Sequence, residues 1–216
     1  MRVAITGSAG RIGTLVVEDL SAGHELRLID RAPTHGRTSL LADLAVHRLR
    51  SYRKPWSKQR LPRWTQAFEG VDVVLHLAAE TSPQALWQSV GPNNIQATWN
   101  VIEAAASHRV SRVVFASSNW AVKSQERQMA PDCYLPRGPK IGWDAPPSPL
   151  TPYGLSKAFG ELTGRMFVDE GRLSSFIAVR LGFYHREAPD DPVLRARWIG
   201  AQDIRDLFRS LSLIHI

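Results

Sequence analysis

The stretch that decides the fold is Thr6–Gly13, which reads Thr-Gly-Ser-Ala-Gly-Arg-Ile-Gly. It follows a short apolar run and precedes Thr14–Leu20, so the order is a strand, a glycine turn and a helix. Such a turn lets backbone N–H groups approach a pyrophosphate at the helix N-terminus, where the helix dipole favours negative charge. In this interpretation Gly7 permits the tight turn, Gly10 keeps the phosphate's path clear, and Gly13 lets the helix lie close to the strand.

A second apolar run, Glu25–Ile29, ends in Asp30. An acidic residue about 20 positions past such glycines is where the ribose diol of a dinucleotide is usually held. The spacing G-x-x-G-x-x-G differs from the G-x-G-x-x-G of most dehydrogenases, and a glycine-rich turn without a ligand is the competing interpretation. The position of Asp30 favours dinucleotide binding.

Composition places the chain among ordinary globular proteins. Its 216 residues suffice for one domain with a sizeable core, and 44% of them are hydrophobic. No apolar run approaches the roughly 20 residues of a membrane span. Met1 leads directly into a predicted strand, so we expect no secretory signal and a cytoplasmic location. The single cysteine, Cys133, excludes an intrachain disulfide, and we expect no metal site.

The formal net charge of +7 requires a nucleic-acid partner to be considered. The basic residues concentrate in one stretch, namely Arg48, Arg50, Arg53, Lys54, Lys58, Arg60 and Arg63. A solvated loop face explains such a stretch more simply than a binding surface does. We therefore expect no nucleic acid and no membrane partner.

The order of elements predicts the fold class. The predicted strands are Arg2–Thr6, Glu25–Asp30, Ala45–Leu49, Val71–Leu77, Arg112–Ala116 and Ser175–Leu181. The predicted helices are Arg11–Ser21, Trp64–Glu69, Ile95–Ser107, Pro152–Glu170 and Ala201–Leu211, with a polar, proline-rich loop at Ser124–Pro149. Strands that alternate with helices imply an α/β fold with a Rossmann-type, doubly wound parallel sheet and right-handed crossovers.

A second set of residues suggests proton transfer. Tyr153 and Lys157 are four residues apart near the start of a predicted helix, and so lie on one helix face. An ammonium beside a phenol favours the phenolate, which predicts a Tyr153 pKa well below about 10. Such a phenol can exchange a proton with an alcohol, and Ser118, at the end of a strand, can hydrogen-bond the same oxygen. The alternative is a surface helix with a half-buried tyrosine and a solvated lysine.

His76, late in a buried strand, is interpreted as a hydrogen-bonded core residue.

Together, these motifs resemble the extended short-chain dehydrogenase/reductase family, also called the NAD-dependent epimerase/dehydratase family. The resemblance covers Met1 to about Tyr184 and rests on Thr6, Gly7, Gly10, Gly13, Asp30, His76–Ala79, Ser117, Ser118, Tyr153 and Lys157. It implies NAD as cofactor, with NADP less favoured because Asp30 would repel a 2′-phosphate. The cofactor residues that it implies are Gly7, Gly10, Arg11, Ile12, Gly13, Asp30, Leu77, Ala78, Ala79, Ser117, Tyr153 and Lys157. Asn94–Ala105 resembles the central helix of the family, and Arg180–Gly182 resembles the turn that packs near the nicotinamide.

Within the family, three segments look most like the uronate dehydrogenase-like branch, namely Phe115–Trp120, Tyr153–Glu161 and the later Arg197–Trp198. That branch oxidises a free sugar acid at its anomeric carbon. The resemblance implies an oxidoreductase whose catalytic residues are Ser118, Tyr153, Lys157 and Asn94, the last ordering a proton-relay water. It places Ser118, Asn119 and Trp120 in the sugar pocket. The alternatives are a sugar-nucleotide epimerase or dehydratase, and a non-catalytic nucleotide- or RNA-binding module.

Two departures from the family pattern affect the prediction. The family usually has Asp-Leu after strand three to bond the adenine, and the nearest match to it here is Arg48–Leu49. The family also builds a larger substrate half. We therefore expect an NAD-binding Rossmann domain at 1–184, a partial and truncated substrate-binding region at 185–216, and a possible homo-oligomer. The apolar face of Ala201–Leu211 must then pack on the sheet domain or stay exposed.

Overall fold

The computed structural model describes residues 1–46 and 62–213. Its main sheet has six parallel strands in the order β3-β2-β1-β4-β5-β6. The strands of the chain are β1 Arg2–Thr6, β2 Glu25–Asp30, β3 Leu40–Leu41, β4 Val73–His76, β5 Arg112–Ser118, β6 Ser175–Leu181, β7 Phe183–Tyr184 and β8 Trp198–Ile199. The last two form a small parallel pair. The predicted doubly wound α/β class is confirmed.

Helices connect the strands and cover both faces of the sheet. They are α1 Arg11–Leu20, α2 Trp87–Val90, α3 Ala97–Ser107, α4 Lys123–Met129, α5 Pro152–Asp169, α6 Pro192–Arg195 and α7 Ala201–Leu213. Shorter helical segments are the 3-10 turns Arg63–Phe68, Asn119–Val122 and Asp132–Tyr134 and the π-helical turn Gly91–Gln96. In the described parts of the chain, no helix combines the length and apolar character needed to cross a bilayer.

Strand β1 lies at the point where the strand order reverses. It pairs with β2 on one side, where Thr6 is opposite Ile29, and with β4 on the other, where Thr6 is opposite His76. The connections leaving β1 and β4 therefore diverge beyond the carboxyl ends of these strands. In open α/β sheets, this divergence forms the ligand-binding crevice.

Two apolar clusters, one on each face, hold the layers together. The first includes Phe68, Val101 and Phe167, from the 63–68 turn, α3 and α5. The second includes Val16 of α1 and Phe208 of α7, packed on Val3, Ile5 and Leu75 of the sheet. The strands carry apolar residues on both faces because both are buried.

The C-terminal helix α7 is part of this packing. Ile204 and Phe208 are fully buried in the second cluster. Arg209 is paired with Asp19 of α1, and Arg205 lies within ion-pair distance of Glu18. Of the two alternatives for the apolar face of α7, the structure therefore has the packed one.

Several elements differ from the sequence prediction. Strand three is Leu40–Leu41 rather than Ala45–Leu49, of which 47–49 lie outside the described residues, as does most of the basic stretch between Arg48 and Arg63. The helix predicted from Ile95 begins at Ala97 and is preceded by a π-helical turn. The predicted loop Ser124–Pro149 contains most of α4 and a 3-10 turn. These short elements have too few residues to show a period in the sequence.

Candidate active site

A cavity of about 660 Å³ opens at the carboxyl ends of the central strands. All of the predicted cofactor residues line it, from the glycine turn through Asp30 and Leu77–Ala79 to Ser117, Tyr153 and Lys157. Its position matches the crevice expected where the strand order reverses. The structure thus brings together residues that the sequence spreads over more than 150 positions.

The glycine turn packs so tightly that side chains have no room. Gly7 has a φ of +76°, and a Cβ there would lie 2.5 Å from the Ala78 backbone nitrogen. A Cβ on Gly13 would lie 2.1 Å from the Gly7 carbonyl oxygen. Gly10 is the N-cap of α1 and has no side chain to accept from the N–H groups of the first turn. Those groups suit an anionic acceptor, so the turn fits a dinucleotide pyrophosphate.

Asp30 lies at the end of β2, beside this turn. Its carboxylate accepts hydrogen bonds from the Ala9 N–H at 2.9 Å and the Ala32 N–H at 3.1 Å. Each oxygen accepts one backbone bond and keeps further acceptor capacity. The carboxylate is therefore held in place and still able to accept from ribose hydroxyls.

The position of strand three changes which residues follow it. Because strand three is Leu40–Leu41, the Asp-Leu pair that follows it is Asp43–Leu44 and not Arg48–Leu49. Asp43 lines the cavity, and its carboxylate accepts from the Ala45 N–H at 2.9 Å. Leu44 is buried, and its carbonyl accepts a hydrogen bond from Asn100. The signal that could have found Asp43 was the Leu-Leu-Ala-Asp-Leu run itself.

Helix α5 presents the tyrosine and the lysine. The Thr151 side chain caps the helix by accepting from the Gly154 N–H at 3.1 Å, and Pro152 occupies the first turn. Tyr153 is 8% exposed, and the Ser118 side chain at the end of β5 is near enough to favour its phenolate. Both predicted catalytic residues line the same cavity.

The predicted effect of Lys157 on Tyr153 is not what the structure shows. Burial raises the pKa of Tyr153 above its ordinary value of 10, and the Ser118 hydrogen bond opposes this only in part. Lys157 is itself buried and donates to the Ala116 carbonyl at 2.8 Å. Burial lowers the pKa of Lys157 to about 8. The cost of removing both groups from water exceeds the attraction between them, so the pKa of Tyr153 rises instead of falling.

Asn94 lies in the π-helical turn and is buried. Its amide accepts from the Glu80 N–H at 2.7 Å and donates to the Glu80 carbonyl at 3.0 Å and to the Ser156 hydroxyl at 2.9 Å. Ser156 in turn donates to the Tyr153 carbonyl. The Asn94 side chain therefore joins the segment after β4 to the start of α5, which positions the tyrosine.

His76 is a buried structural residue, as interpreted from the sequence. Its two ring nitrogens are hydrogen-bonded to the Thr6 and Thr98 hydroxyls at 2.7 and 3.0 Å. Burial, reinforced by the nearby charge of Lys157, lowers the pKa of His76 to about 3. The ring is neutral at physiological pH and ties β1 and β4 to α3.

The cavity is also lined by Ser118 and Trp120 and by Phe183, Tyr184 and Arg197, which come later in the chain. Asn119 instead lines a second cavity, on the other side of the 119–122 turn. The sequence did not single out Phe183, and Arg197 was noted only as part of the resemblance.

Ser117 links the catalytic strand to its neighbours. Its hydroxyl donates to the Glu161 carboxylate at 2.5 Å. Arg180 donates to both oxygens of that carboxylate, at 2.9 and 2.7 Å. The Glu161–Arg180 ion pair and its bond from Ser117 thus join β5, α5 and β6 beside the cavity.

Within 1–46 and 62–213, no group of three or more potential metal ligands is present.

Comparison with known proteins identifies the family. The model of the NAD dependent epimerase/dehydratase family matches residues 3–183. The chain belongs to this family. The matched residues include the glycine turn, the six strands of the main sheet and the Tyr153–Lys157 pair. The resemblance drawn from the sequence is therefore confirmed.

Individual relatives support the same assignment. The chain is 34% identical to the L-arabinose 1-dehydrogenase (NAD(P)(+)) of Haloferax volcanii, over 93% of this chain and 76% of that protein. It is 30% identical to the uronate dehydrogenase of Pseudomonas putida, over 95% of this chain and 69% of that protein. The crystal structure of uronate dehydrogenase from Agrobacterium tumefaciens superposes with a TM-score of 0.75 at 27% identity, covering 100% of this chain and 73% of that one.

These findings define the class of enzyme. Family and relatives make the chain an NAD-dependent oxidoreductase of the epimerase/dehydratase family. NAD is the cofactor of the family, and the glycine turn and Asp30 provide the groups that such a dinucleotide requires.

Proposed function

We propose that this chain oxidises a free sugar or sugar acid at its anomeric carbon with NAD. The observation that carries the proposal is that Ser118 and Tyr153 line the same cavity as the glycine turn and Asp30. The names of two relatives, an L-arabinose 1-dehydrogenase and a uronate dehydrogenase, support this substrate class. Both are oxidoreductases of free sugars by name, which favours net oxidation over epimerisation.

The cofactor would bind along the length of the cleft. We assign the pyrophosphate to the N–H groups at the start of α1, the adenosine ribose hydroxyls to Asp30, and the adenine to Asp43. The nicotinamide half would lie beside Ser117, Ala78 and Lys157. When bound, NAD would supply the hydride acceptor.

Proton transfer is assigned to the buried phenol. Tyr153 takes the proton of the anomeric hydroxyl as general base, and Ser118 hydrogen-bonds the same substrate oxygen. Because burial raises the pKa of Tyr153, the phenol must first release its own proton, so oxidation is favoured by alkaline conditions. Lys157 is assigned to the nicotinamide ribose, and Asn94 acts as a positioning residue for α5.

The substrate end is assigned to residues on both sides of position 184. Ser118, Trp120 and Tyr184 come from the part up to position 184, while Leu194 and Arg197 come from the C-terminal part. We therefore retain a Rossmann domain at 1–184 and a substrate-binding region that begins at 185. Asn119 is a candidate only for a substrate that reaches the second cavity.

The proposal is tested by incubating the purified chain with NAD and following NADH absorbance. The panel contains free uronic acids, L-arabinose, glucose 6-phosphate and sugar nucleotides, and the control is the Tyr153→Phe variant. We expect NADH from at least one free sugar or sugar acid and none from the variant. Conversion of a sugar nucleotide without NADH, and no response to free sugars, would indicate an epimerase instead.

A further inference from the structure

A hydrogen bond joins the two sides of the cofactor cleft. The Arg31 guanidinium donates to the Asn93 side-chain oxygen at 3.0 Å. Arg31 directly follows β2, while Asn93 lies in the π-helical turn that follows β4. Since β2 and β4 flank β1 in the sheet, the bond passes over the end of β1, where the glycine turn begins. Both residues line the cavity.

The bond continues into a polar chain on the β4 side. The Asn93 amide donates to the Ser89 hydroxyl at 3.3 Å, and that hydroxyl donates to the Glu80 carboxylate at 3.2 Å. The pKa of Glu80 is lowered, chiefly by a hydrogen bond from the Ser82 N–H, with the charge of Arg31 contributing. Glu80 is therefore an anion at neutral pH, and it attracts the guanidinium toward the β4 side.

A second anion could compete for the same guanidinium. Arg31 is the neighbour of Asp30, the residue assigned to the adenosine ribose. A ribose with a 2′-phosphate would place two or nearly two negative charges beside the Asp30 carboxylate, which already accepts two backbone bonds. Such a ligand needs a cation close by, and Arg31 is the next residue in the chain.

We propose that Arg31 is a cofactor-selectivity residue whose guanidinium is kept on the β4 side by Asn93, so that the preference for NAD over NADP depends on Asn93 as well as on Asp30. When Asn93 holds Arg31, that guanidinium is turned away from a 2′-phosphate placed beside Asp30. When Arg31 is released, it can pair with that phosphate. The inference rests on the cofactor part of the proposed function and is independent of the sugar.

The test measures the binding of NADH and NADPH to the full chain, without sugar, by nucleotide fluorescence. For Asn93→Ala we expect the affinity for NADPH relative to NADH to rise by about fivefold, the equivalent of one hydrogen bond released. For Asn93→Asp, which adds a charge that holds Arg31 more firmly, we expect the ratio to fall. For Arg31→Ala we expect NADPH binding to weaken by about tenfold, with NADH binding changed far less. Arg37→Ala, which removes an exposed arginine bonded to Ser21, controls for the loss of one positive charge.

A double variant separates this mechanism from a general disturbance of the cleft. If Asn93 acts through Arg31, Asn93→Ala must have no effect on the NADPH/NADH ratio in the Arg31→Ala background. The inference would be overturned if Asn93→Ala still changed the NADPH/NADH affinity ratio in the Arg31→Ala background. It would also be overturned if the single Asn93 variants left that ratio unchanged. Either result would leave the assignment of the cofactor site standing. Failure of both nucleotides to bind the unaltered chain would overturn the cofactor site and the proposed function together.

Discussion

The Lys157 ammonium lies 5.7 Å from the centre of the Tyr153 ring, one turn further along α5. Its hydrogen bond goes to the neutral carbonyl of Ala116 and not to a carboxylate. The charge is thus buried beside the phenol and stabilised mainly by one carbonyl and two aromatic faces, those of Tyr153 and Phe115. A buried cation in such surroundings costs folding free energy, which indicates that Lys157 is kept for function.

Replacing this lysine is expected to stabilise the protein. Lys157→Met should raise the free energy of unfolding at pH 7 by about 1–3 kcal/mol, since it removes the cost of burying a charge. The folded-state pKa is about 8, below the unfolded value of about 10.4. The unfolded chain therefore binds more protons between these values, and the stability of the unaltered protein rises with pH there.

The advantage of Lys157→Met should accordingly be full below pH 8 and shrink as the pH approaches about 10. Urea unfolding at pH 7 and pH 9.5 measures both values. Lys140→Met, at an exposed lysine bonded to two carbonyls, is the control and should show no such pH dependence. A less stable Lys157→Met protein at pH 7 would contradict the burial argument.

Removal of the Tyr153 hydroxyl should separate chemistry from binding. Tyr153→Phe keeps the buried ring and removes the group assigned to proton transfer, so kcat should fall by about 100-fold or more. The Kd for NADH should stay within about twofold, because the phenylalanine ring keeps the place of the tyrosine ring in the cleft. Ser118→Ala should lower kcat less. Steady-state kinetics and fluorescence titration provide the two measurements, and near-normal kcat in Tyr153→Phe would refute the assigned role.

The glycine turn offers a matched pair of substitutions. In Gly13→Ala the new methyl group would lie 2.1 Å from the Gly7 carbonyl oxygen, so the turn must shift. We expect at least tenfold weaker NADH binding together with lower stability, because the N–H groups that face the pyrophosphate move. Gly23→Ala is the control, since no atom lies within 4 Å of the added carbon. Equal NADH affinity in the two variants would disprove the close-packing argument.

The role of α7 can be tested in its buried face. Phe208 is fully buried against α1 and the sheet, so Phe208→Ala should lower the free energy of unfolding by about 3–5 kcal/mol. Leu162→Ala, at a leucine of α5 that is 62% exposed, should change it by less than about 0.5 kcal/mol. Chemical denaturation of both variants compares them directly. Similar small losses would mean that α7 contributes little to the core.

Features that are local along the chain could be predicted from the amino-acid sequence. A glycine turn between a strand and a helix needs only Thr6–Gly13 and its neighbours, and the acid at the end of the next strand lies at a fixed distance from it. The spacing of Tyr153 and Lys157 sets their common helix face without any tertiary contact. The order of apolar strands and helices was enough to predict the doubly wound sheet, because each crossover has one favoured hand.

Features that depend on burial and on distant segments could not be predicted without the folded structure. A strand of two residues has no sequence period, so Asp43 could not be recognised as the acid that follows strand three until β3 was found pairing with β2. The pKa directions of Tyr153 and Lys157 follow from desolvation, which is imposed by elements far along the chain. The bond between Arg31 and Asn93 joins residues 62 positions apart, and it exists because β1 brings the ends of β2 and β4 to either side of one cleft.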